Sequence, residues 1–307
     1  MSPARSPRLP LRPPVEVALA RSIQRLPQGP RLAYEPKFDG HRLVVLRTDD
    51  GVALQARSGR IVTGVFPDLA AAAEALPAGT VLDGEVVVWT EGRTDFAAVQ
   101  KRALAGHGRA AELARALPAS YAAFDLLTTA ADDCRPWPYE RRRAGLTDLL
   151  APLGPPLQAV PMTTDPELAA LWYETLLASG IEGLVVKRLD QPYRGGRRDW
   201  QKLRHSETRD AVVAGVTGSR ARPHALALIL PGDDTPVLSS PLTPAVRARL
   251  AEALAALPAA DEGARGQQAE TTDGTPYLPV PPSLTVEVQQ TSTRHPLTTV
   301  SRLRGPE

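Results

Sequence analysis

The pattern of the sequence changes near residue 205, and this change constrains the fold more than any other feature. Between residues 31 and 204, apolar runs with a strand period alternate with amphipathic segments of helical period. After residue 205 the apolar runs are short and strand-like, and a helical segment at 243–257 interrupts them. A chain of 307 residues is long enough for about two domains. We therefore predict a mixed α+β domain followed by a smaller domain rich in strands.

The hydrophobic pattern of the first region predicts the individual strands and helices. Strands are predicted at 41–48, 52–58, 81–89, 121–127 and 183–189, and helices at 66–76, 95–104, 109–116, 139–153 and 165–179. Residues 1–30 are rich in proline and arginine, and they are predicted to form a tail or wrapping segment with a short helix near 16–25. A basic loop is predicted at 194–204.

The second region has the pattern of a small barrel. Strands are predicted at 211–218, 224–230, 235–240 and 284–290. Residues 258–282 are rich in Ala, Gly, Gln and Pro and predict a mobile loop. About five short strands with one helix are typical of an OB-type barrel. This region holds nine arginines and eleven acidic residues, so it is not a polybasic clamp.

Composition excludes several classes of protein. The single cysteine, Cys134, excludes an internal disulfide and fits a reducing cytosol. No apolar run approaches the roughly 20 residues of a membrane helix, and the basic N-terminus lacks the apolar stretch of a signal peptide. We expect a soluble cytoplasmic protein with no membrane partner, and a monomer as the default.

Lysine is scarce in this chain, which makes the position of each lysine informative. Of 36 basic residues, four are lysines: Lys37, Lys101, Lys187 and Lys202. A bias toward arginine codons explains the scarcity. Lys101 lies on a polar helical face and is predicted to be solvated, whereas the other three lie at strand ends or in the basic loop. Arginine stays protonated and cannot replace lysine as an amine nucleophile.

A series of short segments, in order along the chain, resembles the ATP-dependent DNA ligases within the nucleotidyltransferase superfamily, which also includes the mRNA capping enzymes. The matching segments are 37–40 (Lys-Phe-Asp-Gly), 57–59 (Arg-Ser-Gly), 83–85 (Asp-Gly-Glu), 124–125 (Phe-Asp), 182–187 (Glu-Gly-Leu-Val-Val-Lys), 200–204 (Trp-Gln-Lys-Leu-Arg) and 294–304. A lone KxDG motif would be a weak signal, but the ordered series is a strong one. The sequences at 189–198 and 294–296 look most like the small bacterial ligases of repair and end joining.

The resemblance implies an α+β fold with three parts. Residues 1–30 would be a Pro/Arg-rich N-terminal segment. Residues 31–204 would form the nucleotidyltransferase domain, an ATP-grasp-like adenylation domain with antiparallel sheets and flanking helices. Residues 205–307 would form a β-barrel OB-fold domain.

The resemblance also assigns roles to single residues. Lys37 would be the catalytic nucleophile, since a phosphoramidate bond to AMP needs an amine. Glu85 and Glu182 would hold Mg²⁺, which prefers one or two carboxylates together with phosphates and water. The implied ATP-binding residues are Glu35 and Phe124 at the adenine, Arg42, Arg57 and Glu85 at the ribose and phosphates, and Lys187, Lys202 and Arg204 at the phosphates. Arg294, Arg302 and Arg304 would act when the OB domain closes over the nucleotide.

Some of these residues also have plain structural explanations. Lys37 could form a salt bridge with a neighbouring acid, and Glu85 could be an acid at a strand edge paired with an arginine. Glu182 could be a loop acid that caps a helix. Phe124 could be an ordinary core residue.

The function implied by the resemblance is the sealing of nicks in duplex DNA, in repair or end joining. ATP would donate AMP to Lys37, with Mg²⁺ or Mn²⁺ as the metal. The partners would be nicked double-stranded DNA and a repair polymerase or end-binding protein, and the enzyme would associate with the nucleoid when working. The last motif departs from the family, because Arg304 is followed by Gly-Pro-Glu rather than Asp-Lys. Two alternatives stay open: an RNA ligase or capping-type nucleotidyltransferase, and a DNA-end-binding protein with little turnover, which the incomplete last motif favours.

Overall fold

Two compact units divide the chain, residues 1–204 and residues 205–307. The computed structural model describes residues 11–257, 268–291 and 298–304. None of the helices in these ranges is both long and apolar enough to cross a membrane. Each unit has its own hydrophobic core, and strands predominate in both.

Two sheets with flanking helices build the first unit. Its strands are β1 (Ala20–Ser22), β2 (Leu32–Phe38), β3 (His41–Thr48), β4 (Gly51–Ala56), β5 (Val81–Thr90), β6 (Arg93–Thr94), β7 (Ala119–Thr128), β8 (Leu157–Ala159), β9 (Ile181–Arg188) and β10 (Trp200–Arg204). Its helices are α1 (Pro67–Ala73), α2 (Phe96–Ala103), α3 (His107–Ala116), α4 (Tyr139–Leu150) and α5 (Pro166–Thr175), with short 3-10 helices at Thr63–Val65 and Leu176–Ser179. The predicted arrangement of antiparallel sheets with flanking helices is present.

The four-stranded sheet has the order β1-β10-β9-β2, and the six-stranded sheet has the order β4-β3-β5-β7-β8 with β6 paired to β5. The β1–β10 and β7–β8 pairs are parallel, and all other pairs in these sheets are antiparallel. Side chains alternate between the two faces of a strand. On β5, Leu82 and Val86 therefore join the helix-covered core, whereas Asp83 and Glu85 lie on the other face.

Residues 16–25 are not helical, and the prediction of a helix there was wrong. The segment from residue 11 to residue 22 runs extended over the first unit and ends in β1, which pairs with β10. Val15 and Val17 are buried and Glu16 between them is exposed, which is a strand period. Two prolines precede this alternation, and proline lacks the N–H that a helix interior needs.

Two predicted loops also contain strands. The second half of the basic loop at 194–204 is β10, in which Trp200 and Leu203 are buried. In the second unit, the predicted mobile loop at 258–282 contains two strands between residues 268 and 282, while its part at 258–267 lies outside the described residues. Pairing with strands that are distant in sequence stabilises these segments, and local composition does not report such pairing.

The second unit is an antiparallel sheet with one helix. Its elements are β11 (Ser206–Ser219), β12 (Arg222–Ile229), β13 (Val237–Leu238), α6 (Pro244–Ala256), β14 (Ala269–Glu270), β15 (Pro276–Pro279), β16 (Thr285–Thr291) and β17 (Thr298–Leu303). The long strand β11 pairs with β12, β15 and β16, and β16 also pairs with β17. Leu250 and Leu254 of α6 pack against apolar residues of the sheet, such as Leu228. The assignment of this unit as an OB-fold barrel stays a prediction.

A buried ion pair joins α4 to β7 in the first unit. Arg142 and Asp125 are both fully buried, and the guanidinium contacts the carboxylate through two hydrogen bonds of 2.7 and 3.0 Å. The remaining Arg142 nitrogen, Nη1, donates to the carbonyl oxygens of Trp137 and Gln191. The arginine thus ties a helix, a strand and a loop together.

We expect Arg142→Met to lower the free energy of unfolding by about 3–5 kcal/mol, because it leaves the Asp125 carboxylate buried without a partner. Urea denaturation followed by circular dichroism measures this loss. The matched control is Arg109→Met, since Arg109 is two-thirds exposed and its ion pair with Glu112 is worth at most about 1 kcal/mol. Equal losses in the two variants would contradict the assigned role of Arg142.

Candidate active site

A cavity of about 610 Å³ in the first unit is lined by residues of both of its sheets. Ligand pockets for small molecules and cofactors commonly have volumes of about 300–1,000 Å³. All ten site residues predicted in the first unit line this cavity: Glu35, Lys37, Arg42, Arg57, Glu85, Phe124, Glu182, Lys187, Lys202 and Arg204. The structure therefore brings together residues that are spread over most of the unit's sequence.

An irregularity in β9 carries Glu182 to the cavity. On β2, Lys37 is opposite Gly183 and Phe38 is opposite Ile181, so Glu182 has no partner residue on β2. Gly183 has φ +148, and a Cβ atom there would lie 1.9 Å from the carbonyl oxygen of Leu203. Only glycine fits this position. Without the irregularity, strand alternation would point Glu182 to the same face as Leu184, away from Val185 and the cavity.

One end of the cavity, here called the amine end, holds Lys37, Glu182, Lys202 and Arg204. The Lys37 ammonium forms an ion pair with Oε1 of Glu182, and Arg204 Nη2 lies 3.4 Å from the same oxygen. Burial lowers the pKa of Lys202, and the neighbouring charges of Arg204 and Lys37 lower it further. Three cations therefore lie around the Glu182 carboxylate, and the charges of Lys37 and Glu182 also act on the carboxyl groups of Asp39 and Glu85.

Two further carboxyl groups lie in the same cavity. Burial raises the pKa of Glu85 to about 7, against the attraction of Lys37 and Arg42. Burial also raises the pKa of Asp39, and Glu182 raises it further. A buried acid with a raised pKa is a common feature of functional sites.

The donor set at the amine end fits a magnesium ion. Oε2 of Glu182 is buried and has no hydrogen-bond partner, and the charge of Glu182 raises the pKa of Glu85. Mg²⁺ takes one or two carboxylates and completes its shell with phosphates and water. Within the described residues, no group of three or more His, Cys, Asp or Glu side chains forms a metal cage. Glu85 and Glu182 are thus the residues that would hold the ion.

The other end of the cavity, here called the ring end, is aromatic and holds a buried Glu35–Lys187 pair. Lys187 is 1% exposed, and its Nζ lies 2.8 Å from Oε2 of Glu35. Tyr139 donates its hydroxyl hydrogen to the other oxygen of Glu35. The Lys187 Nζ atom is 4.3 to 5.0 Å from the centroids of three rings, those of Trp200, Tyr139 and Phe124. Burial lowers the pKa of Lys187, although Glu35 opposes the shift.

Lys187 lies apart from the cations of the amine end, and its role at the phosphates stays a prediction. Lys187 pairs with Ala33 of β2. Lys37 lies four residues further along β2, so the Cα atoms of Ala33 and Lys37 are about 13 Å apart at a strand rise of about 3.3 Å per residue. The charged groups that act on Lys187 are Glu35, Asp125 and Arg142, and those that act on Lys202 are Arg204, Lys37, Glu182 and Arg57. Lys187 and Lys202 therefore lie in different parts of the cavity.

Arg42 and Phe124 lie together on the sheet face that lines the cavity. Arg42 donates two hydrogen bonds to Asp83, and its guanidinium carbon is 4.9 Å from the centroid of the Phe124 ring and 5.3 Å from that of Trp200. Phe124 is partly buried and contacts Trp200 edge-on, with centroids 5.8 Å apart. Phe124 is therefore both a packing residue and a wall of the cavity.

The exposed arginines of the cavity are not paired with acids. Arg57 and Arg60 follow β4, and Arg198 precedes β10, and all three are exposed. Among the described residues, no carboxylate lies within ion-pair distance of any of them. This group, here called the rim arginines, contrasts with four other cations of the cavity that all have carboxylate partners: Lys37, Arg42, Lys187 and Arg204.

The three arginines predicted to act in domain closure belong to the second unit. Arg294 lies outside the described residues. Arg302 pairs with Glu287 at 2.8 Å, and Arg304 pairs with both Glu287 and Asp210 at 2.8 Å. Both described arginines are thus held by acids of their own unit.

Sequence reasoning missed several residues of the site. Tyr139 has no motif signal, and it reaches Glu35 only because α4 packs beside the sheet. Trp200 and Asp83 lie inside recognised motifs but had no assigned role. Arg60 and Arg198 are two arginines among many, and their common location depends on the fold.

The family of the chain follows from comparison with known proteins. A family model described as the ATP dependent DNA ligase domain matches residues 16–204. The chain belongs to the ATP-dependent DNA ligases. The resemblance drawn from the sequence is therefore confirmed, and the matched range ends where the first unit ends.

Two of the curated relatives in the ligase family are mycobacterial proteins. The chain is 38% identical over 235 residues to DNA ligase C2 of Mycolicibacterium smegmatis, a match that covers 76% of this chain and 66% of that protein. It is 37% identical over 229 residues to DNA ligase C of Mycobacterium tuberculosis, covering 73% of this chain and 63% of that protein. The match thus spans slightly less than two thirds of the length of these relatives.

Solved ligase structures have the same fold. The ligase domain of LigD from M. tuberculosis matches with a TM-score of 0.54 and 28% identity, covering 94% of this chain and 95% of that one. A Lig E DNA ligase matches with a TM-score of 0.60 and 16% identity, covering 94% and 100%, which shows likeness of fold alone. The mixed α+β architecture of ligase structures is therefore present in this member of the family.

The raised pKa of Glu85 predicts a pH-dependent stability. In the unfolded chain the pKa of the Glu85 carboxyl is about 4.3. Between about pH 4.3 and pH 7 this carboxyl is therefore protonated in the folded protein and ionised in the unfolded chain. The free energy of unfolding should therefore fall as pH rises through this range, by at most about 1.4 kcal/mol per pH unit. Urea denaturation of wild type and Glu85→Gln from pH 5 to pH 8, without metal, should show the wild-type stability declining relative to the variant.

The control for this titration is Glu167→Gln, because Glu167 is exposed in the first turn of α5. Its stability should run parallel to that of wild type over the same pH range. A constant difference between wild type and Glu85→Gln would refute the assignment of the titrating group.

Proposed function

We propose that this protein is an ATP- and Mg²⁺-dependent DNA ligase that seals nicks in duplex DNA through a covalent lysyl-AMP intermediate. The observation that carries the proposal is the cavity of the first unit, which has the Lys37 amine and several cations at one end and aromatic rings at the other. Membership in the ATP-dependent DNA ligase family supports the reaction class.

Lys37 is the nucleophile in this proposal. Its Nζ atom forms a bond to the α-phosphorus of ATP, the bond from that phosphorus to the bridging oxygen breaks, and pyrophosphate leaves with the electron pair. The amine must lose a proton before it can attack, and Lys202 and Arg204 are the neighbouring cations at this end of the cavity. The same two cations stabilise the charge that develops on the phosphate.

The metal site supports the same step. A Mg²⁺ ion held by Glu85 and Glu182 would neutralise phosphate charge. Glu182 at present holds the Lys37 ammonium. Ligation of that carboxylate by a cation would therefore weaken its hold on the amine, which must be free to react.

The ring end accounts for the choice of base. Glu35 is an acceptor and Lys187 is a donor, and they lie side by side at the closed end of the cavity. The edge of adenine offers a donor, its amino group, next to an acceptor, its ring nitrogen N1. Guanine offers the reverse order on the same edge, so its carbonyl oxygen would face the Glu35 carboxylate and its N1–H would face the Lys187 ammonium.

The remaining steps use DNA. An oxygen of the 5′-phosphate at the nick attacks the phosphorus of lysyl-AMP, the phosphorus–nitrogen bond breaks, and the amine is restored. The 3′-hydroxyl then attacks the activated 5′-phosphate, loses its proton, and AMP leaves. The rim arginines are the residues proposed to meet the DNA phosphates, since they are exposed and unpaired within the described structure.

The proposal includes the second unit as an OB-fold barrel that covers the nucleotide and grips DNA. Arg302 and Arg304 would serve the departing pyrophosphate after leaving their acidic partners, Glu287 and Asp210. The biological setting proposed is repair or end joining, with a repair polymerase or an end-binding protein as partner. The names of the curated relatives, DNA ligase C and C2, support placement among the bacterial ligases.

Covalent labelling tests the nucleophile. We expect wild-type protein, first stripped with pyrophosphate, to become labelled by α-³²P-ATP and Mg²⁺ on a denaturing gel. Lys37→Ala and Lys37→Arg should lose the label by at least about 10³-fold, since neither offers an amine nucleophile. Lys101→Ala, on the exposed face of α2, is the control and should label as wild type does.

The outcome with GTP separates the other candidate activities. Labelling by GTP alone would favour a capping-type enzyme, and transfer of AMP only to RNA ends would favour an RNA ligase. Nick binding without any covalent label would show a DNA-end-binding protein and refute the enzyme proposal.

The rim arginines predict salt-dependent binding to nicked DNA. We expect the logarithm of the association constant to fall linearly with the logarithm of salt concentration, because contacts to phosphates release counterions. Arg60→Ala and Arg198→Ala should each weaken binding and reduce the slope by about one. Fluorescence anisotropy of a labelled nicked duplex measures both. Arg109→Ala, on α3, is the control, and a slope unchanged in the two rim variants would contradict this surface.

A further inference from the structure

We propose that Tyr193 is a positioning residue for nucleotide binding. It connects the fixed backbone of the N-terminal strap, residues 11–22, to Asp83, and Asp83 in turn holds Arg42 in the cavity. The inference rests on the proposed function, in which Arg42 contacts the bound nucleotide. Tyr193 itself lies outside the cavity lining and acts through Asp83.

The guanidinium of Arg42 has one donor group left for a ligand. Its Nε donates to Oδ1 of Asp83 at 2.8 Å, and its Nη2 donates to Oδ2 at 2.5 Å. No described residue accepts a hydrogen bond from Nη1, and the side chain lines the cavity. Two rings, Phe124 and Trp200, limit the movement of the guanidinium plane. The direction of Nη1 is therefore set by the position of the Asp83 carboxylate.

The Asp83 carboxylate is itself held by Tyr193. Asp83 is fully buried, and the Tyr193 hydroxyl donates to its Oδ2 at 2.6 Å. Burial and the charge of Asp83 both raise the pKa of Tyr193, so the hydroxyl keeps its proton and acts as a donor. A bidentate arginine and a short hydroxyl contact together leave the carboxylate little freedom to rotate.

The Tyr193 hydroxyl has a second partner in the strap. It accepts a hydrogen bond of 2.9 Å from the backbone N–H of Ala18. The Tyr193 ring is 4% exposed and packs edge-on against Trp200, with centroids 5.8 Å apart. Both the ring and the oxygen are thus fixed, from different sides.

The strap can act as a rigid support because it is anchored on both sides of Ala18. Before it, the N–H and carbonyl of Val15 bond to the side chain of Gln55 at 2.7 and 2.8 Å. After it, Leu19 donates to the carbonyl of Arg197, and Ala20 begins the pairing with β10. A continuous row of contacts therefore runs from the strap through Tyr193 and Asp83 to Arg42.

Removal of the Tyr193 hydroxyl should weaken nucleotide binding and leave the chemical step nearly unchanged. Tyr193→Phe keeps the ring and its packing, but Asp83 loses one donor and Ala18 loses its acceptor. Arg42 would then occupy a wider range of positions in the free protein. The entropy lost when the bound nucleotide fixes this side chain would make binding weaker. Because Tyr193 does not touch Lys37 or the phosphates, the maximal rate of adenylylation should change little.

Two measurements test the inference. First, ATP affinity is measured by calorimetry for Lys37→Ala, which cannot react, and for Lys37→Ala combined with Tyr193→Phe. We expect affinity to fall by about 5- to 20-fold, which corresponds to about 1–2 kcal/mol. Second, single-turnover labelling of Tyr193→Phe should need a correspondingly higher ATP concentration for half-maximal rate, with a maximal rate within about 3-fold of wild type.

Tyr34→Phe is the matched control for a merely structural effect. Tyr34 is fully buried outside the cavity lining, and its hydroxyl donates to the carbonyl of Pro27 at 2.8 Å within the same unit. It should lower stability by a similar amount while leaving ATP affinity unchanged. Equal losses of affinity in both variants, or wild-type affinity in Tyr193→Phe, would overturn the positioning role while leaving the proposed ligase activity intact. Wild-type protein that binds no ATP would overturn both.

Discussion

The antiparallel pairing of β2 with β9 is the constraint on which the site depends. It places Lys37 opposite Gly183, and the irregularity at that point turns Glu182 out of the strand and toward the amine. The same pairing places Glu35 and Lys187 on the cavity face further along, so one strand pair supplies both ends of the cavity. A shift of the register by one residue would turn these side chains to the opposite face.

Most of the buried charges at the cavity are compensated by a charge of opposite sign. Lys37, Arg42 and Lys187 are each joined to a carboxylate, which limits the cost of removing these charges from water. The Glu182 oxygen without a partner and the half-buried Glu85 are the places where this compensation is incomplete. A multiply charged ligand with its metal is the kind of occupant that would complete it.

Much of the site could be predicted from the sequence, because ordered motifs report side chains that share a function. The motifs predicted Lys37 and the other motif residues that line the cavity. The alternation of strand and helix patterns predicted most of the elements that carry them. The position of Lys187 relative to Lys37 could not be predicted in this way, since it depends on strand register. Tyr139 and Tyr193 were also out of reach, because each meets its partner through a contact between segments far apart in sequence.

The strap has a consequence for the order of folding. Ala20 pairs with Trp200, so the first and last strands of the unit must meet before the four-stranded sheet is complete. Contacts between such distant segments form late, because closing a long loop costs entropy before any pairing repays it. The Leu19 and Ala20 side of the cavity wall therefore closes only after the rest of the unit has been made. A nascent chain still lacking β10 would have an incomplete cavity without Trp200, Lys202 and Arg204, so completion of the cavity marks the completion of the unit.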